Sequence, residues 1–153
     1  MKSLPIALAV LTLVAPTYAA EPVNMFNLDG TCQSLEVDGI DLTDECKGSV
    51  LQMVYDIGRV GLYAFSGDTI LTFSGMSDEV IGNEIHQELD KVLIGTSADD
   101  IADIPARGTC VFENPFEGKP AQITCSARAK SGATYELYHR RQTADRFHGQ
   151  VRR

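Results

Sequence analysis

The chain has 153 residues, 44% of them apolar, with a formal charge of −8. This is enough for one domain with a modest core. The acidic balance opposes the phosphate backbone of nucleic acids and so excludes them as a class of partner.

The charge is unevenly placed. From Ala20 to His139 there are 7 Lys/Arg against 20 Asp/Glu, whereas residues 140–153 carry five arginines against Asp145. An acidic body with a short basic C-terminal tail follows. Such a body suits a basic protein as partner, and such a tail could touch an anionic membrane surface.

The first segment reads as a secretory signal peptide, residues 1–19. Lys2 supplies the positive charge, Ile6 to Ala15 the apolar run, and Thr17-Tyr18-Ala19 the small residues before a cleavage site. The apolar run is shorter than the ~20 residues a membrane helix needs. Cleavage would leave residues 20–139 as a β domain and 140–153 as the tail. The expected location is periplasmic or secreted.

Glu21 to Asp29 shows no sustained pattern and reads as a lead-in. Thr31 to Val37 reads as a strand, and Asp38-Gly39 as a two-residue hairpin turn, because both residues tolerate positive φ. Ile40 and Leu42 form the returning arm. Thr43-Asp44-Glu45 reads as a single helical turn that delivers Cys46. Ser49–Tyr55, Val60–Phe65 and Thr69–Phe73 are three strands joined by Gly-containing turns, an antiparallel meander.

Residues 77–94 fit two periodicities. Ile81, Ile85, Leu89 and Val92 suit a helix capped by Ser77, while Ile81, Ile85, Leu89 and Leu93 share one face of a strand. The expected arrangement is a loop with a short helix, then a strand near Glu88–Gly95. Ser97 to Ala106 reads as an acidic surface connection. Cys110–Glu113 is a strand, Asn114–Pro120 a turn-rich tip and Ala121–Ala129 the returning strand. After a turn at Lys130-Ser131-Gly132, Thr134–Tyr138 is the last strand.

The cysteines recur in a pattern. Gly30-Thr31-Cys32 is followed by Cys46, and Gly108-Thr109-Cys110 by Cys125. Four cysteines allow three pairings. In an exported chain, disulfides are the expected state. The spacing and flanking turns favour the local pairs, Cys32 with Cys46 and Cys110 with Cys125, each closing a loop for about 3 kcal/mol. The similar order of elements after each Gly-Thr-Cys admits two readings, an internal duplication or a recurrence of common β elements.

Little points to catalysis. His86, His139 and His148 are isolated from each other and from the cysteines, so no metal motif forms. The acids between Asp38 and Glu45 lack the alternation of a calcium loop. No serine has a nucleophile-elbow context. No cofactor, metal site or catalytic residue is assigned. Most aromatic residues fall on predicted strands, where core packing explains them.

One motif carries a resemblance. Ser131-Gly132-Ala133-Thr134-Tyr135 has the form Ser-Gly-x-x-Tyr, which resembles the loop motif of bacterial periplasmic lysozyme inhibitors. The match covers five residues, and the Lys-Gly motif of the best-known branch is missing. The resemblance implies a small exported disulfide-bearing β protein whose loop, with Ser131, Gly132 and Tyr135 as binding residues, enters an enzyme cleft. The expected whole is a mostly β protein, a small antiparallel β-sandwich or barrel with two local disulfides and one short helix. Its expected role is non-enzymatic binding of a macromolecule in the periplasm or envelope. Inhibition of a basic enzyme such as lysozyme is the specific version. A structural envelope module and a hydrolase with an unrecognised site are the alternatives.

Overall fold

The computed structural model describes residues 19–113 and 122–140. The expected signal peptide (apart from Ala19), the 114–120 tip and most of the basic tail lie outside those residues. Eleven strands account for nearly all the described chain: β1 (Pro22–Asp29), β2 (Thr31–Val37), β3 (Ile40–Asp41), β4 (Cys46–Tyr55), β5 (Val60–Ser66), β6 (Thr69–Gly75), β7 (Ser77–Ile81), β8 (Glu84–Ser97), β9 (Asp100–Glu113), β10 (Gln122–Ala129) and β11 (Thr134–Arg140). They form one antiparallel sheet in the order β1-β4-β5-β6-β8-β9-β10-β11-β2-β3, with β7 beside the first part of β8.

The hydrogen-bonded ladder is open, but the chain rolls it up. β1 and β2 are successive halves of one arm that turns at Gly30. β1 pairs with β4, and β2 pairs with β11 at the other end of the ladder. The Gly30 amide donates to the Gly48 carbonyl at 2.6 Å, and the Cys32–Cys46 disulfide ties β2 to β4. Gly48 packs directly on the Gly30 carbonyl, so no side chain fits there. The result is the barrel-like arrangement expected of the sequence, with a single core inside the roll.

That core follows from period-two alternation. β10 alternates without a break: Ile123, Cys125, Ala127 and Ala129 are buried and the residues between them exposed. Leu62, Leu71, Phe73, Val92, Leu137 and Leu35 complete the interior from five other strands. Burying one such large side chain contributes roughly 1.5–3 kcal/mol.

Several expectations hold and several change. Both local disulfides are present, and Asp38 and Gly39 take φ of 51° and 80°, the double positive φ of a type I′ turn. Thr43–Glu45 is a 3-10 turn ending at Cys46, with Asp41 accepting from the Thr43 amide. The short helix expected after Ser77 is instead a strand: 77–81 and 84–97 form a hairpin. The reason is a bulge between Leu89 and Lys91. It moves the inward face from Leu89 to Val92, a step of three that imitates helical spacing. The 97–106 connection is strand β9, turning tightly from β8. Pro105 is tolerated because β10 first pairs at Ala106, which leaves the Pro105 side of the ladder open. The lead-in is β1, whose neighbour β4 supplies the regularity its own sequence lacks.

The two cysteine units are not structural equivalents. Cys110 and Cys125 face each other across the β9–β10 ladder. Cys32 and Cys46 join strands that lie far apart along the ladder path. The placement of the disulfides thus gives the similarity in order no structural counterpart.

Candidate functional site

The Ser131-Gly132 turn joins β10 to β11 and is exposed. Gly132 has φ of 97° and donates its amide to the Ala129 carbonyl at 3.0 Å. Tyr135 does not accompany the turn onto the surface. It is 4% exposed and belongs to the core, and burial raises its phenol pKa. The turn lies beside the Asp38-Gly39 hairpin, whose Asp38 amide bonds the Thr134 carbonyl at 2.6 Å. Ser131 and Gly132 are thus available to a partner, while Tyr135 fixes the strand behind them. The turn follows Arg128 and Lys130, so its local charge is positive.

A second surface is larger. Alternation that sends Leu62, Ala64, Leu71 and Val92 inward sends apolar residues outward over the same strands. Val23 and Met25 of β1 are more than half exposed, as is Ile101 of β9. Between them lie half-buried Leu51, Met53 and Tyr55 of β4 and Tyr63 and Phe65 of β5. By contrast, the outward residues of β10 are Gln122, Thr124, Ser126 and Arg128. One half of the outer surface is apolar and the other polar. A contiguous exposed apolar face of this kind marks an interaction surface.

This face has a built centre. Leu51 pairs with Tyr63, Tyr63 with Thr72, and Thr72 with Leu93 across four neighbouring strands. The Tyr63 ring lies over Gly61, and its hydroxyl meets that of Tyr55 at 2.6 Å. Burial, then the Tyr55 hydroxyl, push the Tyr63 pKa well up, so the phenol stays neutral. Beside Tyr63 opens a groove of about 360 Å³, lined by Ile70, Thr72, Leu93, Gly95 and Ile101 and by the β8–β9 turn residues Ser97 and Ala98.

Its rim is acidic. Asp68, Asp99, Asp100 and Asp103 each lie within two residues of the lining and are exposed. Lys91, the nearby cation, is held by Asp103 at 2.7 Å. Sequence reading missed this groove because it treated 97–106 as a connection and the strand aromatics as core. The alternation of Tyr63 against Leu62 was the available signal, but it does not say which side of the sheet is covered.

The histidines divide. His86 lies on the surface beside Glu84 at 3.2 Å. His139, expected beside the basic tail, is fully buried where β11 meets β2. Among the described residues no group of three His, Cys, Asp or Glu side chains is placed to hold a metal. No family model, characterised protein or solved structure matches the chain.

Proposed function

We propose that the chain is an exported, non-catalytic protein that binds a basic macromolecular partner in the periplasm or envelope, with inhibition of a basic enzyme such as lysozyme as its specific form. The observation that supports this reading most is the apolar groove with its rim of carboxylates. An apolar side chain of the partner would fill the space beside Tyr63 and Leu93, and flanking Lys or Arg residues would meet Asp68, Asp99 and Asp100. Apolar anchors supply most of the affinity at such interfaces, and complementary charge guides the encounter. The two disulfides agree with an oxidising compartment.

The test is lysis of cell-wall suspensions by lysozyme, followed by turbidity, with the protein added at increasing concentration. Inhibition that weakens with salt is expected. Leu93→Ser with Ile101→Ser should relieve it at least tenfold if the groove is the contact. A Ser131→Ala, Gly132→Ala pair should relieve it instead if the turn enters the enzyme cleft. No inhibition of any common lysozyme type removes the specific form. A cross-linking pull-down from the envelope that yields no basic protein removes the broader one.

A further inference from the structure

The opposite, polar half of the outer surface holds an arrangement that runs against the charge of the protein. Arg107 on β9 and Arg128 on β10 are direct cross-strand partners, and both point outward. Like charges placed opposite each other in a sheet destabilise it. Lys130 follows Arg128 after one residue and joins the same hollow, about 390 Å³ in volume, with Pro105, Ala106 and Ala129 in its lining. Ala106 and Ala129 are opposed and buried in the core, and alternation sends Arg107 and Arg128 to the outer face of the same two strands.

None of the three side chains forms a hydrogen bond or ion pair among the described residues. This occurs in a body with 20 acids against 7 bases, where counter-charges are plentiful. One carboxylate, Asp90, lines the hollow as well, and it is already engaged. Arg59 grips both of its oxygens, at 2.8 and 2.9 Å, and lowers its pKa. Asp90 therefore does not neutralise the arginines across the hollow. The frame is rigid, because Cys110–Cys125 crosslinks the same two strands three residues along.

We infer that Arg107, Arg128 and Lys130 form a binding site for a tetrahedral oxyanion of the phosphate type. Two guanidinium forks on adjacent strands offer paired N–H donors to such an anion, and the ammonium adds a third contact. The anion relieves the cross-strand repulsion when it binds. The surrounding acids repel anions elsewhere on the surface, so binding is confined to this hollow. Free phosphate and the phosphate of a lipid headgroup share this chemistry. The site is separate from the groove and stands whether or not the groove binds a basic partner.

The experiment measures backbone amide shifts and melting temperature of the full chain with inorganic phosphate, against sodium chloride of equal ionic strength. Phosphate should raise the melting temperature and give saturable shifts at residues 105–107 and 128–130. Arg107→Gln with Arg128→Gln should abolish both effects, and without phosphate it should melt no lower than the parent protein. Arg107→Lys with Arg128→Lys keeps the charge but should weaken binding at least fivefold, since the forks are lost. A parallel arm sediments the protein with phosphatidylcholine vesicles containing phosphatidic acid. Sedimentation that the Gln pair abolishes assigns the headgroup as source, and phosphate binding without sedimentation assigns the free anion. Phosphate effects equal to those of chloride, together with no vesicle binding, overturn the inference, as does a response that the Gln pair retains.

Discussion

His139 is the residue whose environment conflicts most with its chemistry. It is fully buried, lies beside the Gly48 backbone, and neither ring nitrogen has a well-formed hydrogen bond. Burial lowers its pKa from the ordinary 6.5; the Gly48 backbone and, more weakly, Asp29 oppose that without reversing it. Above about pH 6.5 the folded and unfolded chains both hold the ring neutral, and it adds no pH dependence. As the pH falls below 6.5, the unfolded chain takes up a proton that the folded chain refuses, and stability declines until the lowered folded value is passed. Urea unfolding at pH 7.5 and pH 5 should therefore show a loss on acidification. In His139→Leu most of that loss should disappear, and stability at pH 5 should rise by about 1–3 kcal/mol, the cost of buried unpaired polar atoms. An equal acid loss in parent and variant would assign the effect to the carboxylates instead. Arg59 and Asp90 are a milder case. Both are partly exposed, so Asp90→Asn should cost no more than about 1 kcal/mol in the same assay.

At the scale of elements, the two disulfides close loops of nearly equal length, 14 and 15 residues apart in sequence. Loop entropy alone assigns each about 3 kcal/mol. Their placement separates them. Cys110–Cys125 links strands already held by a full ladder, whereas Cys32–Cys46 fastens the seam where the roll closes. Replacing Cys32 and Cys46 by Ser should therefore cost more than replacing Cys110 and Cys125, and should speed amide exchange along β2 and β11 specifically. Equal losses and uniform exchange would show the seam to be held by packing alone. Much of this framework was legible in the sequence: the cysteine pairing, the Asp38-Gly39 turn and the β4–β6 meander all rest on local chemistry. The β7–β8 hairpin was not, because a one-residue bulge at Asp90 disguises strand alternation. The groove was not either, since Tyr63 and Leu93 reveal their outward direction only when their neighbours across the sheet are known. The burial of Tyr135 was legible from its place on a predicted strand, against the binding role that the Ser-Gly-x-x-Tyr resemblance gives it.

At the scale of the whole molecule, an apolar outer face on a body this acidic makes self-association depend on salt. Net charge keeps copies apart while it is unscreened, and the screening length shrinks from about 30 Å at 0.01 M to about 3 Å at 1 M salt. Sedimentation velocity should show a monomer at low salt and larger species at high salt, with Ile101→Ser and Met25→Ser reducing them. A monomer under both conditions would mean that the face is too small or too curved to attract its own kind. The arm shared by β1 and β2 also sets a timetable. In the finished sheet Leu35 lies opposite Leu137, about 100 residues further along the chain, so β2 must wait for β11 to be made before it gains this neighbour. Cys32 and Cys46 can join long before that. The early crosslink would hold β2 against β4 as a waiting template, and the arrival of β11 would then be a short docking step in place of a search by a loose end.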